Sequence, residues 1–389
     1  MPDVVVLDAV RTAIGKSFRG SFVGTRSDDL GGHVIDTLLR RNPYLDPAVV
    51  TDLYWGCSLP DHSQGYNVAR QVGLLAGLPE TVPALTLSRS CGSAFSAIRM
   101  AAHAIAAGDG AVYLAGGGDS FTMCLGKGFS QADHNPRFVD EGRPDFINHA
   151  YMEVFDTAEI VADVHGITRR EMDEFAVLSQ ARTAKAIADG YHAAEIVAYQ
   201  LPDGTVVDAD DSPRPDTTVE RLAELRAISP ERGGRVTAGN TCVAGDAAAA
   251  MVLASAEWAS SVGATPQARI LGSAVAALAP EVMGLGSIPA VRSLLDRHGL
   301  RVSDIDLFEV HENFSAQVIP TCRELGIDVD TQLNPHGGAI ALGHPPGMSG
   351  CRLVSTVVHG LRARNQHLGV AATCVAGGQG MAVLIERLD

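Results

Sequence analysis

Two stretches of the chain repeat one pattern of apolar runs and small-residue turns. Leu38-Leu39-Arg40-Arg41 leads through Asp46 and Asp52 into the strand-like Leu53-Tyr54-Trp55-Gly56-Cys57, and Leu294-Leu295-Asp296-Arg297 leads through Asp304 and Asp306 into Leu307-Phe308-Glu309-Val310-His311. Both read as helix, turn, strand. Leu53 lies 38 residues before Cys91 and Leu307 lies 37 before His344, and each distance ends where a small-residue turn enters an apolar helix. The copies continue into buried strands at 111–118 and 368–378, which end in glycines. A helix–strand unit encoded twice implies two related α/β halves, and packing them about a pseudo-two-fold axis brings the two helix starts together. Cys91, His344, His311 and Cys374, distant in sequence, then surround one cleft.

The chain is long enough, at 389 residues, to bury a large core in two or three compact units. With 46% hydrophobic residues and 41 glycines it reads as a turn-rich α/β protein. No stretch approaches the roughly 20 unbroken apolar residues of a membrane span. The start, Met1-Pro2-Asp3-Val4-Val5-Val6-Leu7, lacks a basic region followed by a long apolar segment, so it reads as a first strand and a cytoplasmic location is expected. A formal charge of −15 argues against a nucleic-acid partner, while leaving room for a local basic patch to meet an anionic small ligand. The seven cysteines, Cys57, Cys91, Cys124, Cys242, Cys322, Cys351 and Cys374, are odd in number and dispersed, with no CxxC pair. Reduced thiols are expected, with neither a disulfide framework nor a metal site.

Between the repeats lies a different kind of sequence, 121–236, with polar turns at 133–136 and 210–215 and helix-like runs at 158–164 and 170–189. An excursion of this length suggests a lid subdomain over the cleft. The expected division is an N-terminal half at 1–120 and 237–265, the insertion at 121–236, and a C-terminal half at 266–389. Five arginines between Arg214 and Arg235 make a weakly positive stretch that could meet a nucleotide phosphate, although most of these charges suit a solvated helical face.

Ser88-Arg89-Ser90-Cys91-Gly92-Ser93 puts a cysteine at the start of an amphipathic helix. A helix N-terminus offers unpaired N–H donors and a positive dipole end, which favour a thiolate and can hold an oxyanion. The most specific run is Asn334-Pro335-His336-Gly337-Gly338-Ala339-Ile340-Ala341-Leu342-Gly343-His344-Pro345-Pro346-Gly347-Met348-Ser349-Gly350. Together with Cys91-Gly92-Ser93, Thr237-Ala238-Gly239-Asn240, His311-Glu312-Asn313-Phe314 and Cys374-Val375-Ala376-Gly377-Gly378, it resembles the thiolase family of acyl-CoA C-acyltransferases. The resemblance spans nearly the whole chain. It implies a duplicated five-layer αβαβα fold with an inserted lid, a homodimer or homotetramer, and acyl-CoA and CoA as substrates with no separate cofactor.

The resemblance also implies roles. Cys91 is the nucleophile that accepts and releases an acyl group, and His344 is its base. Cys374 exchanges a proton with the α-carbon. His344 and His311 stabilise the enolate oxygen, while the backbone N–H groups of Cys91 and Ala376 stabilise the tetrahedral intermediate. Substrate contacts are expected at Arg226, Cys242, Met283 and Phe314.

The chain departs from common patterns in places. His311 matches the His-Glu-Ala-Phe of the fatty-acid-oxidation branch rather than the Asn of many relatives, which raises a hydratase–dehydrogenase partner as a possibility. Asn313 replaces a small residue, Ala376 a glycine and Cys242 a serine, and the stretch around Glu153 differs from the usual His-Met-Gly. Two rival readings are a decarboxylating ketoacyl synthase, which uses one cysteine and usually two histidines, and a non-catalytic acyl-CoA-binding scaffold.

Overall fold

Strict alternation of side chains explains how one sheet serves two cores. In the strand Gly245–Ser255, Ala247, Ala249, Met251 and Leu253 point to one core, whereas Ala248, Ala250, Val252 and Ala254 point to another. The computed structural model describes residues 2–388; Met1, at the head of the expected first strand, and Asp389, at the end of the expected last half, lie outside the described residues.

The first copy runs β1 (Val4–Arg11), α1 (Ser27–Arg41), β2 (Asp52–Gly56), α2 (Val68–Leu75), β3 (Ala84–Leu87), α3 (Ser93–Ala107) and β4 (Val112–Ser120). After α4 (Val154–Val164) and α5 (Arg169–Ala188) it closes with β5 (Gly245–Ser255). The second copy runs β6 (Ala268–Ala277), α6 (Ser287–His298), β7 (Leu307–Val310), α7 (Ser315–Leu325), α8 (Pro346–Ala363), β8 (Leu368–Val375) and β9 (Gln379–Arg387). The strand order is β7-β8-β9-β6-β1-β5-β4-β2-β3. Outward from the β6–β1 junction, each copy presents its first strand, last strand, penultimate strand and second strand. An isolated bridge between Phe308 and Leu333 stands where β3 stands in the first copy. The junction itself is a short antiparallel pairing of Val4–Val6 with Ala268–Ile270.

Five layers result. Leu30, Val34 and Leu38 of α1 and Val72 of α2 cover the outer face of the first half-sheet. Val291 and Leu294 of α6 and Val318 of α7 cover the outer face of the second. Between the half-sheets, Phe95, Ile98 and Ile105 of α3 pack with Leu353, Val354 and Val357 of α8, against Tyr113 and Met251 on one side and Ala371 and Val383 on the other. Burying a side chain of this size stabilises the fold by about 1.5–3 kcal/mol.

The intervening segment is fastened to β1 by a buried charge cluster: the Arg11 guanidinium donates to Glu195 at 3.1 Å and to Asp210 at 2.7 Å. Removing one partner of such a cluster leaves an uncompensated buried charge. Thr168 and Glu171 form a capping box that starts α5. No helix among the described residues is long and apolar enough to cross a membrane.

Close approach of β4 to the first turn of α8 fixes how the halves meet. A Cβ on Gly117 would collide with the Gly347 carbonyl oxygen. Gly117→Ala should therefore lower the unfolding free energy in urea by about 1–3 kcal/mol. Gly24→Ala, where a Cβ meets nothing within 4 Å, should leave it within about 0.5 kcal/mol.

Candidate active site

The turn that presents Cys91 is built by its neighbours. Ser90 adopts φ 42°, in the left-handed region that costs a non-glycine residue about 1–3 kcal/mol. Two contacts hold it there: Ser93 Oγ donates to the Ser90 carbonyl at 2.6 Å and accepts from the Arg89 N–H at 2.9 Å. Gly92 follows as the N-cap of α3, pressed so closely by the second half that an added Cβ would lie 2.9 Å from Val375 Cγ2.

His344 reaches Cys91 from the second half, where it precedes α8 as Cys91 precedes α3. Its Nε2 lies 3.3 Å from Cys91 Sγ. Its Nδ1 lies 2.7 Å from Ser349 Oγ, and that hydroxyl donates to the Pro345 carbonyl at 2.9 Å. The hydroxyl has committed its only proton, so it accepts from His344 Nδ1–H. This tautomer leaves the Nε2 lone pair facing the thiol, which is what a base for Cys91 requires. The backbone is held as well, with the His344 N–H donating to the Val243 carbonyl at 2.7 Å.

Burial sets the protonation states. It pulls His344 down to about 3, with help from the Arg352 charge, so the ring is neutral at ordinary pH. Burial also raises the Cys91 thiol, and charge on Cys374 or Cys242 would raise it further, while a hydrogen bond from the Ala376 N–H lowers it. Desolvation thus opposes the thiolate that the helix start favours, and both shifts point towards thiol and imidazole as the resting pair. His311, fully buried, lies beside His344 with ring centroids 4.1 Å apart. No hydrogen bond of good geometry reaches either His311 ring nitrogen among the described residues, although the Asn313 side chain lies near enough to favour its protonated form against burial.

Cys374 sits near the end of β8, fully buried, and accepts from Asn313 Nδ2 at 2.9 Å. Burial pushes its thiol up to about 12, against the lowering effect of that bond. The loop carrying His311 and Asn313 is braced by Glu312, whose buried carboxyl accepts from Ser179 Oγ at 2.6 Å and Asn334 Nδ2 at 2.8 Å.

A cavity of about 350 Å³ opens onto Cys91 and His344. Cys242, Met283, Phe314 and Ala376 line it, as do Leu59, Phe121 and Phe155, two of them flanking or within the intervening segment. Arg226 is exposed and is not among the lining residues. Cys374 does not line the cavity either; Asn313 does. Sequence reasoning missed Ser349, although its place five residues after His344, in the first turn of an expected helix, was a usable signal. It also missed Asp119, which accepts from the Gly347 N–H and so clamps the first turn of α8 to the end of β4. No group of three or more potential metal ligands occurs among the described residues.

Residues 4–257 match the family model described as Thiolase, N-terminal domain, and residues 264–387 match Thiolase, C-terminal domain. A 3-ketoacyl-CoA thiolase of Aeromonas hydrophila is 41% identical over 100% of both chains. A beta-ketoadipyl-CoA thiolase of Pseudomonas putida is 42% identical, again over 100% of both. The crystal structure of the dimeric peroxisomal thiolase of Saccharomyces cerevisiae superimposes with a TM-score of 0.91 at 32% identity, covering 100% of this chain and 98% of that one.

Two outcomes follow from the protonation states. Ser349→Ala removes the acceptor that fixes the tautomer, and should slow alkylation of Cys91 by iodoacetamide about 10-fold, as loss of roughly 1.4 kcal/mol of hydrogen bonding would. The unfolded chain protonates His344 near 6.5 whereas the folded chain resists until about 3, so unfolding free energy should fall as pH drops through that window. His344→Gln should reduce that slope in urea titrations.

Proposed function

The chain belongs to the thiolase family of acyltransferases, and from that premise we propose that it cleaves 3-oxoacyl-CoA with CoA into acyl-CoA and acetyl-CoA, and runs the reverse Claisen condensation, through an acyl group on Cys91. The observation that carries the reading is the 3.3 Å approach of His344 Nε2 to Cys91 Sγ, from opposite halves, at the wall of an apolar cavity. Cys91 Sγ attacks the 3-oxo carbon as its proton passes to Nε2, and the N–H groups of Cys91 and Ala376 receive the oxyanion. When the bond between the second and third carbons breaks, the electron pair becomes the enolate of acetyl-CoA, with His344 and His311 at its oxygen. Cys374 returns a proton to its carbon. The proton that His344 took from Cys91 passes to the Cys374 thiolate, which restores both groups. His344 then deprotonates the CoA thiol, whose sulfur attacks the acyl carbon, and that proton returns to the departing Cys91 sulfur.

The cavity lining supports an apolar acyl chain. Leu59, Phe121, Val154, Phe155, Met283 and Phe314 form its apolar walls, and among the described residues neither lysine nor arginine lines it. A terminal carboxylate brought there would lose its water without gaining a counter-charge. We further infer a cytoplasmic homodimer or homotetramer working in fatty-acid metabolism. A hydratase–dehydrogenase partner fits the His311-Glu312-Asn313-Phe314 motif, and co-purification with such an enzyme tests it.

Cys91→Ser should abolish acyl transfer with the fold intact, and undiminished acetyl labelling at that site would contradict the assignment. Cys374→Ala should still acylate Cys91, visible by mass spectrometry, yet fail to cleave or form the carbon–carbon bond. In a thiolysis panel, kcat/KM for 3-oxohexanoyl-CoA should exceed that for 3-oxoadipyl-CoA, its length-matched dicarboxylic counterpart, by about 10-fold or more.

A further inference from the structure

We propose that Asn313 is a positioning residue for Cys374, its side-chain amide fixing the sulfur and donating to it during proton exchange with the α-carbon. The inference rests on the role assigned to Cys374 above.

Asn313 is held at several points. Its carbonyl oxygen accepts from the Cys242 N–H at 3.0 Å and from Thr241 Oγ1 at 3.0 Å, and its Oδ1 lies 4.0 Å from Cys242 Sγ. These contacts leave Nδ2 aimed at Cys374 Sγ, 2.9 Å away. The residue is buried, with 4% exposure, yet it lines the cavity, whereas Cys374 is fully buried and does not. The amide is thus a polar link between the proton-transfer sulfur and the substrate space.

The chemistry calls for such a donor. In the condensation direction the Cys374 thiolate takes a proton from the methyl carbon of acetyl-CoA: a C–H bond breaks, an S–H bond forms, and the electron pair moves onto the thioester oxygen. Burial alone opposes the thiolate, and a hydrogen bond from a neutral amide favours it without adding a charge. The ionisable groups facing this region act differently. Charge on Cys91 or Cys242 would oppose charge on Cys374, and the Glu312 carboxyl that braces the same loop would oppose charge on Cys242. His311 and His344 are neutral, and Arg352 pairs with Glu309. A small residue at position 313 would supply no side-chain donor.

The test compares two half-reactions in the full-length enzyme. Deuterium exchange into the methyl group of acetyl-CoA in heavy water reads the Cys374 step, and acetyl transfer onto Cys91 reads the other. Asn313→Leu and Asn313→Ala should slow exchange by about 10- to 100-fold, the loss of one hydrogen bond to a charged sulfur, and should move its alkaline rise to higher pH. Acetylation of Cys91 should stay within about two-fold. Asn313→Gln, which keeps an amide donor, should recover part of the exchange. Wild-type exchange with an unchanged pH profile in the leucine and alanine variants would overturn the proposal, as would exchange and acetylation falling in parallel. A Cys374→Ala enzyme that exchanges normally would instead overturn the role of Cys374 itself.

Discussion

The approach of His344 Nε2 to Cys91 Sγ is the contact on which the rest of the molecule converges, because its two atoms belong to different halves of the sheet. A 3.3 Å separation survives only if the starts of α3 and α8 are held against each other, and backbone without side chains makes that possible. Gly56 and Gly117 let the Gly347 carbonyl approach, and Gly350 lets α8 reach the Phe95 backbone. Asp119 then clamps the crossing, accepting from the Gly347 N–H on one side and from the Ser58 N–H on the other. The sandwiching half-sheets and outer helices hold this crossing rigid, since a packed interior transmits displacement rather than absorbing it.

Electrostatics at that contact follow from the same burial. An apolar cavity disfavours charge on both partners, so the resting pair is neutral and charge develops only as the thiol attacks. Donors placed in advance around such a site act more strongly than they would in water. Ser349 contributes by fixing a tautomer, Asn313 by facing a sulfur and Glu312 by holding the loop that presents His311 and Asn313. This division leaves the reacting atoms few ways to move except along the reaction.

Much of this was legible in the sequence. The near-equal spacing from Leu53 to Cys91 and from Leu307 to His344 reflects the duplicated helix–strand order, and the strand order mirrors about the β6–β1 junction as a doubled unit should. The run at 334–350 and the Cys91 motif identified the pair that meets at the cavity, whereas Cys374 lies behind Asn313 and off the lining. Three things were hidden. The thiol state of Cys91 depends on desolvation by residues from every layer, which local sequence cannot report. The hydrogen bond from Asn313 to Cys374 spans two strand ends, so Asn313 reads only as a departure from a pattern. Arg226 carries the right charge for a phosphate, and its place off the cavity lining is a property of the folded segment around it.

The neutral pair is tested most directly by nitrogen NMR of His344 in ligand-free enzyme labelled at histidine. A neutral pair gives one neutral ring, protonated at Nδ1, with no titration between about pH 5 and about pH 8. An imidazolium signal in that range, lost in Cys91→Ser, would show a resting thiolate–imidazolium pair and contradict it.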